Sequence, residues 1–218
     1  MSLATPTSSA ALPSVEHGNT GWTGAAIAVR SILQIPTPLL LRLAPTGVDP
    51  LYIDFRYHAF TWTVPLAQFP PDPAVVDVET EPAPPGSPPL FELPGKNLDT
   101  LLWAIGLHAF NGASASWLRG GDRYRLKRWP NFTELPHSID QMRMTALLGN
   151  AFFSVEELAV AAETSVENAR RLTNALSLMG VLKDADVEAA AAPVAQIQAE
   201  SGQESNSLFR RLRNRLGL

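Results

Sequence analysis

The residues that most often do chemistry are scattered along this chain. The four histidines are His17, His58, His108 and His137. No two of them have a metal-ligand spacing, and the chain has no cysteine. His108 lies in an otherwise apolar run, where a hydrogen-bonded core histidine is the expectation. The glycines at 18–24 are not followed by the lysine that a phosphate-binding loop needs. The Gly-x-Ser-x-Gly pattern of a nucleophilic serine is also absent. The sequence therefore predicts no metal, no cofactor and no catalytic residue, and favours a non-enzymatic protein.

The stretch RYRLKRWPNF, residues 123–132, concentrates cations and aromatic rings. Side chains alternate along a strand, so a strand over 123–129 would carry a cationic ridge on one face. That face would hold Arg123, Arg125, Lys127 and Trp129. Three interpretations stay open: charges that protect a sheet edge, a site for an acidic protein partner, and a site for nucleic acid.

The last residues, 205–218, form a second cluster of apolar and basic side chains. Its apolar members at helical spacing are Leu208, Phe209, Leu212 and Leu216, and four arginines surround them. This pattern predicts a short basic amphipathic helix. It could dock in a groove of a protein partner or on an anionic membrane.

Charge and hydropathy exclude several classes of protein. The chain has 218 residues, 17 Lys and Arg, 21 Asp and Glu, and a net charge of -4. With this net negative charge, the electrostatic field of the whole protein would not attract it to nucleic acid or to an anionic membrane. The N-terminus lacks the pattern of a secretory signal, and the most apolar stretch, 24–44, is interrupted by arginines and prolines. We expect a soluble, cytoplasmic protein.

The sequence predicts a disordered arm at residues 1–24 and a β-rich α+β domain over residues 25–135. Alternating β-branched and aromatic residues predict strands at 39–44, 50–56, 58–64 and 73–80. Residues 25–34 fit a helix or a strand. A proline-rich loop follows at 81–95, and Asn97 then offers the cap for a helix at about 98–110.

The sequence predicts three helices in the rear half, residues 136–184. Ser138, Ser154 and Ser165 precede helical runs as N-caps, and Gly149 and Gly180 are natural C-terminal stops. Residues 185–204 lack large apolar side chains and predict a flexible acidic linker.

Three capped helices with short connections resemble a winged-helix or helix-turn-helix unit at about 138–183. The resemblance implies DNA binding, with residues 166–179 in the place of the recognition helix and Arg170 and Arg171 as candidate contacts. The unit carries four cations against five carboxylates, which disfavours phosphate binding. Residues 180–182 lead straight into the linker, so no wing is expected.

The order of strand region, proline tract, Trp-Pro-Asn-Phe at 129–132 and helical unit is also faintly similar to uncharacterised bacterial proteins associated with small Ras-like GTPase signalling modules. That resemblance implies a signalling or scaffold adaptor acting through protein-protein contacts, which is our expectation. A DNA-binding regulator using the 138–183 unit with the basic segment 119–128, and a peripheral membrane protein anchored by 205–218, are the alternatives.

Overall fold

A computed structural model describes residues 21–35, 38–84 and 86–185. Its helices are α1 (Thr23–Ile32), α2 (Leu98–His108), α3 (Ile139–Asn150), α4 (Val155–Ala161) and α5 (Val166–Leu178). Its strands are β1 (Leu39–Pro45), β2 (Leu51–Asp54), β3 (Ala59–Thr61), β4 (Val76–Pro82), β5 (Lys96–Asn97), β6 (Tyr124–Leu126) and β7 (Leu182–Asp184). The α+β class, with a β-rich front half and a helical rear half, is confirmed.

The front half is built on an antiparallel five-stranded sheet in the order β4-β1-β2-β3-β5. Period-two alternation turns one face of the sheet inward. Leu41, Leu43, Leu51, Ile53 and Phe60 are fully buried or nearly so on that side. The alternation of apolar and polar side chains therefore predicted this face correctly.

The opposite face of β2 carries a buried ion pair that fastens the proline-rich loop. Asp54 is fully buried and accepts two hydrogen bonds from the Arg56 guanidinium, at 2.9 and 2.7 Å. Arg56 also donates to the carbonyl and the hydroxyl of Ser87. A buried carboxylate needs such pairing, because an unpaired charge in the interior is costly.

Residues 25–34, which the sequence left open between helix and strand, lie mostly in the helix α1, which ends at Ile32. α1 buries Ala25, Ala26, Val29 and Ile32 against the sheet and the other helices. The front half therefore contains a second helix, α1, besides the predicted α2.

The two halves share one hydrophobic core, which extends from Trp22 to Leu182. Its tightest approach is between α2 and α5, where a Cβ on Gly106 would lie 2.4 Å from the Cα of Ala175. Every residue from Leu172 to Met179 is buried. The second half of α5 therefore lies in the core, as most of α2 does.

The predicted caps are confirmed with one exception. Ser138 and Ser154 each close a capping box, and Ser165 accepts from the amide of Asn168. Gly180 ends α5 with a positive φ of 67°. Gly149 does not stop α3, which continues to Asn150. Its lack of a side chain serves a close contact instead.

Candidate binding face of the small sheet

The basic stretch forms a strand shorter than predicted, because β6 covers only Tyr124–Leu126. The predicted alternation is confirmed within it. Tyr124 and Leu126 are buried, Arg125 is half-buried, and Lys127 just beyond the strand is exposed. Burial raises the pKa of the Tyr124 hydroxyl to about 12.

β6 has hydrogen-bonded neighbours on both sides. One side pairs with β7, and on the other side the backbone of Tyr124 exchanges hydrogen bonds of 2.8 and 3.0 Å with Phe153. The expectation that residues 180–182 run straight into the linker is wrong, because Leu182–Asp184 forms β7. Protection of an open sheet edge therefore does not explain the cations of β6.

The cationic face of this small sheet consists of Arg125, Lys127 and Lys183. Arg125 lies directly opposite Lys183 in the antiparallel register. Among the described residues, no carboxylate lies within 4.0 Å of any of the three side chains. The described residues therefore place no negative charge against this face. Like charges placed opposite each other on neighbouring strands destabilise the sheet.

Lys183 is the member of the face that sequence reasoning missed. The sequence showed it only as one cation of the helical unit, because pairing of β7 with an upstream strand was not expected. Its ammonium nitrogen lies 5.6 Å from the ring centroid of Phe152, a cation-π distance. The ring attracts the ammonium but has no net charge, so the net positive charge of the face is unchanged.

Arg123 was predicted on the same ridge but is engaged in the structure. Its guanidinium bonds both carboxylate oxygens of Glu157, with the Nε to Oε2 distance at 2.9 Å. Hydrogen bonding from Arg123 holds the pKa of the Glu157 carboxyl below its usual range. Glu157 also accepts from the amide of Ser154. Arg123 thus fastens β6 to the start of α4.

Trp129 is the exposed aromatic residue beside the cationic face. Trp129 is 56% exposed. Its indole contacts α3 at Gly149, and a Cβ added to Gly149 would lie 2.8 Å from Cζ2 of the indole. A guanidinium nitrogen of Arg125 lies 3.5 Å from the Gly149 carbonyl oxygen. Both side chains therefore meet at Gly149, and Trp129 borders the face.

The other predicted contact residues lie elsewhere. Arg170 pairs with Glu156 at 3.8 Å, and Arg171 pairs with Glu167 at 2.7 Å. Neither contacts the cationic face in the described residues. Leu208, Phe209, Leu212 and Leu216 lie outside the described residues.

His108 differs from the expectation of a hydrogen-bonded core residue. It is half-buried and stacks on Phe69 with 5.5 Å between ring centroids. Among the described residues its ring has no hydrogen-bond partner. Desolvation, and to a smaller degree the charge of Arg171, lower its pKa.

Within residues 21–35, 38–84 and 86–185, no group of three or more His, Asp or Glu is arranged to hold a metal ion. No helix in these ranges has the length and apolarity to cross a bilayer. Comparison with protein-family models, with curated proteins and with solved structures finds no match to this chain.

Proposed function

We propose that this protein is a non-enzymatic adaptor that binds an acidic protein surface through the cationic face. The observation that carries the proposal is the register of β6 and β7, which sets Arg125 opposite Lys183 without a carboxylate nearby in the described residues. A partner with carboxylates would supply the negative charge that the described residues do not place at this face.

The side chains at this face suit protein recognition. Arg and Trp are enriched among the residues that dominate binding energy in interfaces, and here Arg125 and Trp129 are neighbours. Lys127 and Lys183 add positive charge to an otherwise acidic chain. Complementary charge of this kind mainly raises the association rate and selects the partner. A small Ras-like GTPase system stays a predicted partner.

A DNA-binding regulator is the second candidate. Its support is the run of three capped helices, α3 to α5, followed by the short strand β7. The exposed carboxylate of Glu167 in the first turn of α5 weighs against it, because the N-terminal residues of a recognition helix face the groove and a carboxylate repels phosphate. The membrane alternative depends on residues 205–218.

The test is partner recovery from the native cell followed by mass spectrometry. The test variant carries Arg125→Glu with Lys127→Glu, and the control carries Arg119→Glu. Arg119 is exposed, and its carbonyl accepts from the Tyr124 hydroxyl, so it lies toward the opposite face of β6. Circular dichroism confirms that both variants are folded.

We expect a partner that is lost with the double variant, kept with Arg119→Glu and weakened by salt, because exposed charges are screened. Equal recovery by the double variant and the parent would remove the cationic face from the function. Recovery that disappears after nuclease treatment would favour the DNA-binding alternative.

A further inference from the structure

A cavity of about 190 Å³ lies where the end of α2, the start of α3 and the first half of α5 meet. Its lining residues are Leu107, His108, Ser138, Asp140, Gln141, Met144, Asn168 and Arg171. Pockets for drug-sized ligands have volumes of roughly 300 to 1,000 Å³. This cavity is smaller, so it fits a ligand of only a few non-hydrogen atoms.

The imidazole of His108 reaches this cavity without a hydrogen-bond partner among the described residues. Stacking on Phe69 fixes the ring plane. The ring nitrogens are accessible to water, because Nε of Arg30 is the one buried side-chain nitrogen or oxygen without a partner among the described residues. A ligand in the cavity would therefore replace water at the imidazole.

Arg171 brings a second donor to the same cavity. One of its guanidinium nitrogens bonds Glu167 at 2.7 Å, which fixes the side chain and leaves further N–H groups for another acceptor. Gln141 uses its side-chain oxygen to close the cap of α3 at Ser138, so its amide nitrogen is also a donor. Arg171 and Gln141 therefore bring N–H donors to a lining that also holds the Asp140 carboxylate.

Besides His108, the ionisable side chains in the cavity lining are Arg171 and Asp140. Glu167 pairs with Arg171 and neutralises part of its charge. The Asp140 carboxylate is drawn toward Arg143 at 3.9 Å. The apolar wall consists of Leu107 and Met144.

We propose that this cavity binds a small carboxylate, whose charged end lies between His108 and Arg171 and whose short apolar body contacts Leu107 and Met144. The chemistry follows from the lining, because a carboxylate accepts from both the imidazole and the guanidinium. None of the lining residues belongs to the cationic face, so this proposal does not depend on the proposed adaptor function.

Propionate is the probe, and propionamide is its neutral counterpart of the same shape. Nuclear magnetic resonance follows the imidazole signals of His108 in the full chain during each titration. We expect saturable shifts with propionate in the millimolar range, and none with propionamide. An anion beside the ring favours the imidazolium, so propionate should bind more tightly at about pH 6 than at about pH 8.

The variants test the geometry. Arg171→Gln should weaken propionate binding at least about tenfold, as loss of a charge-assisted hydrogen bond does. Arg170→Gln is the matched control, because Arg170 is the preceding residue of α5 and pairs with Glu156 outside the lining. It should bind as the parent does.

Three results would overturn the proposal: no saturable shift at His108, equal shifts with propionamide, or an equal loss of affinity with Arg170→Gln. Were Arg171→Gln to fail to fold, His108→Gln would take its place, with the amide signals of Leu107 and Met144 as the readout. Unchanged propionate binding by that variant would equally contradict the proposal.

Discussion

Gly106→Ala tests the packing of α2 against α5, which joins the front half to the rear half. Two effects of opposite sign compete at this position. Alanine is a better helix former than glycine, which favours the variant by up to about 1 kcal/mol. The new Cβ, however, would lie 2.4 Å from the Cα and 2.9 Å from the amide nitrogen of Ala175.

The clash decides the sign, because the opposing atoms belong to the backbone of a buried helix and have no rotamer to change. Overpacking of a well-packed core costs about 1 to 3 kcal/mol. We expect the free energy of unfolding to fall by about that amount. The melting temperature should fall by roughly 2 to 4 °C for each kcal/mol in a domain of this size.

Gly149→Ala is the matched control. Its Cβ would also be crowded, at 2.8 Å from Cζ2 of Trp129, but that neighbour is an exposed side chain that can swing away. Urea denaturation of both variants gives the comparison. We expect Gly149→Ala to be neutral or slightly stabilising. A stabilised Gly106→Ala, or equal losses in the two variants, would refute the close packing of α2 on α5.

Four further outcomes are expected. Leu172→Ala should lose about 2 to 5 kcal/mol of unfolding free energy in denaturation, because the residue is fully buried, whereas Arg171→Ala should lose little. Glu157 has a lowered pKa in the folded state, so its contribution to the free energy of unfolding is complete above its unfolded pKa and is lost as the pH falls through the folded pKa. Arg123→Gln should therefore reduce the loss of stability at acid pH in denaturation experiments. In titrations at physiological salt the protein should bind labelled duplex DNA no more tightly than about 10⁻⁶ M, the unspecific level. Deletion of residues 205–218 should reduce partner recovery without changing liposome sedimentation, and the reverse result would favour the membrane.

Local patterns predicted much of the fold. Alternation along β2 predicted the inward side chains Leu51 and Ile53, and the serines predicted three helix starts. These signals are local, because strand period and cap chemistry involve residues only a few positions apart. α1 was ambiguous because its small residues fit either element.

Long-range pairing was not predictable in the same way. Nothing in residues 182–184 indicates that they pair with β6, more than 50 positions upstream. The approach of Arg125 to Lys183 follows from that pairing, and the position of β6 between two neighbours also needs the bridge from Tyr124 to Phe153. The engagement of Arg123 by Glu157 is likewise a contact between distant segments.

The most direct test of the central claim is partner recovery by Lys183→Glu. This change places an attractive pair opposite Arg125, worth about 0.2 to 1 kcal/mol, and removes the cation-π contact with Phe152, worth about 0.5 to 1 kcal/mol, so the stability of the free protein should change little. If the cationic face binds an acidic partner, this folded variant should nevertheless lose the partner that the parent recovers. Full recovery of that partner by Lys183→Glu would contradict the account.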